Sequence, residues 1–335
     1  MRIVVTDPSP PDIEAGNFST VKRWAAIFRK LGHRVLLHRV RDEGVKPMPS
    51  GDLLIALHAG HSHSAILQWK RRDPAAEIIL VLSGTDLHQQ LPAGGAARRR
   101  VIESLKASDR WVALHQQADL FLPAELLGSQ PHGVHFIPQS ARPLPGGRDP
   151  IGSKLRLLVI GFLREVKDPL LPVEALKYLP DPLADGRTVE IVHLGGALSR
   201  QWQRRAEATA AREPRWRWLG TVPRARLRRY LGTSHLLVHP SREEGGANVI
   251  SEALVAGIPI LASDAPGNLG LLGDQYPGQF RRGDGRQLAE QILRWVEDAG
   301  FRKQLQSRSK RLRGNHTVEA ETTAWRGLLA ELRGK

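Results

Sequence analysis

Residues 242–252 read REEGGANVISE, with Glu244 and Glu252 eight positions apart and Gly245–Gly246 between them. Upstream, HLLVHP is a short apolar run of the buried-strand type ending near His239. Downstream, residues 246–257 carry helical spacing that Gly257 and Pro259 bring to a stop. The glycines therefore fall where a strand hands over to a helix, the place at which open α/β sheets bind ligands. Glycine permits close backbone approach. The helix start offers unpaired N–H groups and the positive end of the dipole, a seat for phosphate. Asn248 and Glu252 are four apart and share a helix face. Carboxylates repel a phosphate but accept hydrogen bonds from hydroxyls, so a phosphorylated sugar or nucleotide sugar would engage both kinds of group. Taken alone, the stretch also reads as an ordinary helix start.

Strand and helix patterns alternate outward from this segment. RIVVT, HRVLLHRV, DLLIAL, EIILVL and RWVAL are strand-like. FSTVKRWAAIFRKLG, HSAILQWKRRD, AARRRVIESLKA and HQQADLFL read as helical between them. In the first of these, Phe18, Val21, Trp24, Ala25 and Phe28 make one apolar face. The Pro- and Gly-rich stretch from Ser140 to Lys154 reads as a linker. The alternation then restarts with LRLLVIG and runs through TVEIVHLGG, RWRWLG, HLLVHP and IPILAS, with helices near 198–212, 224–231 and 246–257. The last stretch of chain reads as mostly helical. Two successive α/β units predict two Rossmann-like domains facing a central cleft.

Composition excludes several chemistries. The 335 residues contain no cysteine, which removes disulfides, thiolate zinc sites and cysteine nucleophiles. No Asp-x-Asp pair is present, so a divalent cation held that way is not indicated. His58, His61 and His63 lack the partners of a strong ligand pattern, and neither a metal nor a cofactor is expected. The formal net charge of +15 is spread over many helices, which reads as an arginine-rich surface that also draws small anions, rather than as a nucleic-acid site. No signal peptide and no membrane span is read in the sequence, so a cytoplasmic protein is expected.

The Glu244-x7-Glu252 spacing between strand and helix resembles the Glu-x7-Glu segment of GT-B nucleotide-sugar glycosyltransferases. The resemblance implies that Glu244 contacts the donor hexose, that Gly245, Gly246, Ala247 and Asn248 line hexose and phosphate, and that Glu252 meets the ribose. Gly246–Ala247 stand where the superfamily has an aromatic-Gly pair. GFLREVKDP, residues 161–169, is similar to the superfamily's loop carrying an Arg and a Lys that neutralise the donor diphosphate. Gly161 and Lys167 match; Phe162 holds the Arg position, and Arg164 is a substitute two residues on. Gly195 and Gly196 of HLGGAL follow another strand and are donor-site candidates.

A narrower resemblance runs along nearly the whole chain. GNFSTVKRWAAIFRKLGHRV, ALHAGHSHSA, LSGTDLHQQL, EGGANVISEA, APGNLGLLG and YPG look like the selenosugar synthases of selenoneine biosynthesis. That family implies two substrates, a UDP-sugar (UDP-N-acetylglucosamine or UDP-glucose) and selenophosphate. Its products are a 1-selenosugar, UDP and phosphate. It also implies an acceptor domain at 1–145, a donor domain at 152–312 and a C-terminal helix at 313–335 packing back on the first domain. Selenium in selenophosphate is already anionic and polarisable, so its attack needs positioning and a cationic cradle more than a base. Gly16, Asn17 and Thr20 open the first helix, with Arg23 one turn in, and these, with His58, Thr85 and Asp86, are the acceptor-site candidates. A conventional glycosyltransferase with a hydroxyl acceptor is the alternative, with His58 or Asp86 as its base.

Overall fold

The computed structural model describes residues 1–10, 16–40, 47–150, 152 and 154–332. Part of the polar segment after the first strand (11–15), two linker positions (151 and 153) and the end of the C-terminal helix region (333–335) lie outside the described residues. The chain divides into two compact units, Met1–Gln139 with Glu319–Lys335, and Ser140–Val318.

The first unit runs β1 (Arg2–Asp7), α1 (Gly16–Lys30), β2 (Arg34–Arg39), β3 (Leu53–Leu57), α2 (His63–Arg72), β4 (Glu77–Leu82), α3 (Gly95–Lys106), β5 (Arg110–Ala113), α4 (Ala124–Ser129) and β6 (Val134–Phe136). The strands form one parallel sheet in the order β2-β1-β3-β4-β5-β6. β3 is buried along its whole length, as a strand covered on both faces must be. On α1 the stripe Val21, Trp24, Ala25 and Phe28 is buried. Gly32, at φ +85°, turns the chain out of the helix, and the His33 N–H donates to the Phe28 carbonyl at 3.0 Å.

The C-terminal helix (Val318–Glu331) joins the core of this unit. Trp325, fully buried, meets Trp24 and Phe28 edge-on at ring-centroid distances of 5.2 and 5.0 Å, a favoured aromatic geometry. The buried Glu321 carboxylate accepts hydrogen bonds from Arg23 Nε at 2.8 Å and Trp24 Nε1 at 2.9 Å.

The second unit runs β7 (Lys154–Ile160), α5 (Leu171–Ala175), β8 (Thr188–Leu194), α6 (Arg200–Arg212), β9 (Trp216–Trp218), α7 (Arg224–Thr233), β10 (Leu236–His239), α8 (Asn248–Ala256), β11 (Ile260–Ser263), α9 (Pro266–Leu272), β12 (Gln279–Phe280), α10 (Gly285–Glu297) and α11 (Ala299–Arg313). Its parallel sheet has the order β12-β11-β10-β7-β8-β9. The strand order reverses between β7 and β10, the switch point at which doubly wound sheets open a crevice at their carboxyl ends. In the first sheet the same reversal falls between β1 and β3.

One reading is corrected. HQQADLFL forms no α-helix: only Ala118–Phe121 closes, as a 3-10 turn, and Leu122 is extended (φ −86°, ψ 142°) ahead of Pro123. Proline disfavours the helical conformation in the residue before it. The expected linker begins at the boundary between the units, Gln139 to Ser140. Residues from Ser140 belong to the second unit, because the Ala141 N–H donates to the His316 carbonyl at 3.0 Å and Arg148 donates to the carbonyls of Gly257 (2.7 Å) and Ser234 (2.8 Å).

Candidate active site

In the second unit, Lys167 follows β7 and Glu244 follows β10, so each stands on a loop flanking the switch point. There Lys167 Nζ forms an ion pair with Glu244 Oε1. His239 Nε2 lies 2.9 Å from the same oxygen. Burial opposes the charge of Glu244, but Lys167 and His239 together outweigh it and hold the carboxyl well below the usual carboxylate range. The two loops are tied at a second point. Arg242 pairs with Asp168 at 2.9 Å, and the Arg242 N–H donates to the Val166 carbonyl at 2.8 Å. Asp168 adopts φ +42° beside Lys167.

The glycines shape the backbone around this pair. Gly195, at φ +149°, packs so closely that a Cβ there would stand 1.9 Å from the Gly161 carbonyl oxygen. The Leu163 N–H donates to the Gly196 carbonyl at 2.9 Å. The Lys167 methylenes pass 3.9 Å from where a Gly161 Cβ would sit. Gly161, Gly195, Gly196, Lys167 and Glu244 thus belong to one cluster. A Cβ on Gly267 would meet the Glu244 carbonyl oxygen at 2.1 Å, so the start of α9 presses on the glutamate's backbone.

Gly245 and Gly246 lead into α8, with Gly246 at φ +130°. Ala247 is its N-cap residue and gives no side-chain cap, and Asn248 is the first helical residue. One turn on, Glu252 pairs with Arg224 at 3.3 Å. Arg164 starts the 3-10 turn holding Lys167, and its carbonyl accepts the Lys167 N–H at 3.0 Å. Arg164 Nε is enclosed without a hydrogen-bond partner among the described residues.

The first-unit candidates form two clusters. In one, Thr20 Oγ1 donates within α1 to the Gly16 carbonyl at 2.9 Å and lies 2.6 Å from Gln139 Oε1. Arg23 Nη2 donates to that Gln139 oxygen at 2.7 Å while its Nε serves Glu321. Arg23 therefore has a structural task, neutralising a fully buried carboxylate. Gly16 is exposed and Asn17 half-buried at the helix start.

In the other cluster, the His61 N–H donates to His58 Nδ1 at 3.1 Å, so a neutral His58 carries its proton on Nε2, 2.7 Å from Thr85 Oγ1. Asp86 is fully buried, and its carboxylate accepts the backbone N–H groups of Ala59, Ser83, Gly84 and Leu87. It builds the loop that carries Thr85 and is committed as a hydrogen-bond acceptor. His63 turns away to Glu103 and Ser104, both at 3.2 Å. No group of histidine and carboxylate side chains suited to a metal ion occurs among the described residues.

Sequence reasoning passed over His239, Arg242 and Asp168. The signal for His239 is a polar residue closing the apolar run HLLV; the charge pair of Arg242 with Asp168 joins two loops far apart in sequence and leaves no local pattern.

Comparison with known proteins shows the fold. Over 99% of this chain and 100% of theirs, the fold matches HepE of Anabaena, crystallised with UDP and glucose, at a TM-score of 0.78 and 16% identity. Sucrose-phosphate synthase of Thermosynechococcus elongatus matches over 99% of both chains at 0.79 and 15% identity. The fold is thus GT-B, that of nucleotide-sugar glycosyltransferases. Residues 149–312, within the second unit apart from its ends, match the family described as Glycosyl transferases group 1. Glycosyltransferase 1 domain-containing protein 1 of Xenopus tropicalis is 22% identical over 270 residues, 75% of each chain. Among the described residues, no helix is long and apolar enough to cross a membrane.

Proposed function

We propose that the protein is a selenosugar synthase. It would join the anomeric carbon of a UDP-sugar, UDP-N-acetylglucosamine or UDP-glucose, to the selenium of selenophosphate, giving a 1-selenosugar, UDP and phosphate. The observation that carries the donor half is the Lys167–Glu244 pair at the switch point, in the unit whose helix α8 starts without a side-chain cap. A fixed cation and helix N–H groups stabilise the charge that develops on a departing nucleoside diphosphate. In this reading Lys167, assisted by Arg164, neutralises the diphosphate, Glu244 accepts from a hexose hydroxyl and Glu252 from the ribose. Gly161, Gly195, Gly196 and the Gly245–Asn248 backbone give the donor its close approach. The relative HepE, crystallised with UDP and with UDP-glucose, supports a uridine nucleotide.

The acceptor half rests on the stretches shared with selenosugar synthases. It is also supported by how the base candidates are spent: Asp86 accepts four backbone N–H groups, and His58 Nδ1 accepts from His61. An acceptor whose selenium is already anionic asks for no base. The carbon–oxygen bond to the diphosphate breaks with its electron pair leaving on UDP, while a selenium lone pair forms the carbon–selenium bond. Water then cleaves the phosphorus–selenium bond to release phosphate. Gly16, Asn17 and Thr20 at the helix start, and His58 with Thr85, are proposed to contribute to binding this anion, with Arg23 kept in place by Glu321 as a flanking charge. The test is anaerobic incubation with UDP-N-acetylglucosamine and fresh selenophosphate, followed by mass spectrometry. Selenosugar with UDP, absent when phosphate replaces selenophosphate, is the expected result. UDP release with an alcohol but not with selenophosphate would instead make this a hydroxyl glycosyltransferase.

A further inference from the structure

Two nitrogen-bearing side chains, Lys167 and His239, approach one oxygen of Glu244, and they differ in freedom. Lys167 reaches Glu244 Oε1 on a four-carbon stem from a 3-10 turn, with its side chain 19% exposed. His239 reaches it from β10, a central strand whose residues pair with both β7 and β11, and its side chain is 3% exposed. The donor reading above requires Lys167 to face a diphosphate. A lysine that turns to a phosphate leaves the carboxylate it was holding, and a buried carboxylate stripped of its partner carries a large penalty. That penalty would be charged against donor binding unless a second donor stayed behind. His239 approaches the same oxygen, at 2.9 Å, from a fixed strand position.

We propose that His239 is a positioning residue that keeps the buried Glu244 carboxylate partnered and aimed while Lys167 turns to the donor diphosphate. The inference rests on the donor-site reading. His239 does not touch the donor; it acts through Glu244, and its effect on nucleotide affinity exists only while residue 244 bears a charge.

A double-mutant cycle reads this directly, with UDP as the probe and isothermal titration calorimetry as the measurement. His239→Leu should weaken UDP binding about tenfold, the worth of one charge-assisted hydrogen bond. His239→Gln, whose amide N–H reaches a similar position, should stay within about threefold of the parent. In a Glu244→Gln background, where Lys167 is held by no carboxylate, adding His239→Leu should change UDP affinity by less than about twofold. Equal losses in the two backgrounds would mean that His239 matters only through packing and would overturn the proposal, as would no loss in either. Should His239→Leu not fold, His239→Asn, too short to reach Oε1, takes its place with the same two outcomes. Failure of the parent protein to bind UDP overturns the donor reading and this inference together, whereas binding with equal losses overturns the inference alone.

Discussion

Replacing Lys167 with Met removes a charge while keeping the unbranched stem that runs beside Gly161. Glu244, 7% exposed, then keeps its contact with His239. Breaking a buried ion pair from one side costs about 3–5 kcal/mol. The retained His239 contact at 2.9 Å places the expected loss at the lower end, about 3 kcal/mol. Urea unfolding followed by circular dichroism measures it. The pH dependence gives a second reading. In the parent, the folded carboxyl lies below its ordinary value of 4.5, so its stabilisation is complete above that value and disappears on acidification through the folded one. In the variant the lysine's share of that lowering is lost, so the deficit is greatest near neutrality and narrows as acid protonates the group. Adding Glu244→Gln to Lys167→Met removes the stranded charge and should recover at least about 2 kcal/mol. Strictly additive losses, with a deficit that does not change with pH, would refute the account of this pair.

Gly195→Ala should cost about 3 kcal/mol or more and disturb the Gly161 loop, because its Cβ would stand 1.9 Å from a backbone oxygen at φ +149°; Gly196→Ala would crowd the Thr221 hydroxyl at 2.7 Å and otherwise touch the Phe162 ring at an ordinary 3.9 Å, and should cost less than about 1.5 kcal/mol. Thermal unfolding of the two variants compares them, and equal stability would contradict the packing described. Burial lowers His193 to about 4, so the unfolded chain binds the extra proton between that value and 6.5, and stability should rise with pH across this window by about 3 kcal/mol. His193→Gln should flatten that rise; an unchanged pH profile of the urea midpoint would refute the assignment. Trp325→Ala should lose about 3–5 kcal/mol by opening a cavity against Trp24 and Phe28, and unfolding of the first unit, followed by tryptophan fluorescence, reports it.

Local pattern carried most of the architecture. Apolar runs such as RIVVT, EIILVL and TVEIVHL are strands because β-branched and aliphatic side chains fit a sheet buried on both faces. The stripe at Val21, Trp24, Ala25 and Phe28 makes α1 visible for the same reason of period. Short or Gly- and Pro-bearing elements gave no such signal. β6 has three half-buried residues, and α9 opens with Pro-Gly-Asn-Leu-Gly, a composition that reads as turn.

The candidate site divides along the same line. Residues 236–252 by themselves determine a strand, a bare glycine turn and a helix start, because backbone freedom and helix ends are properties of neighbours in sequence. Only the tertiary structure decides that Lys167, on a loop 77 residues away, meets Glu244, since that depends on β10 lying beside β7 in the sheet. It alone shows Arg23 spent on Glu321 and Asp86 spent on backbone N–H groups. A charge written in a sequence does not name its partner: burial makes the partner obligatory, and the fold determines which residue is near enough to serve.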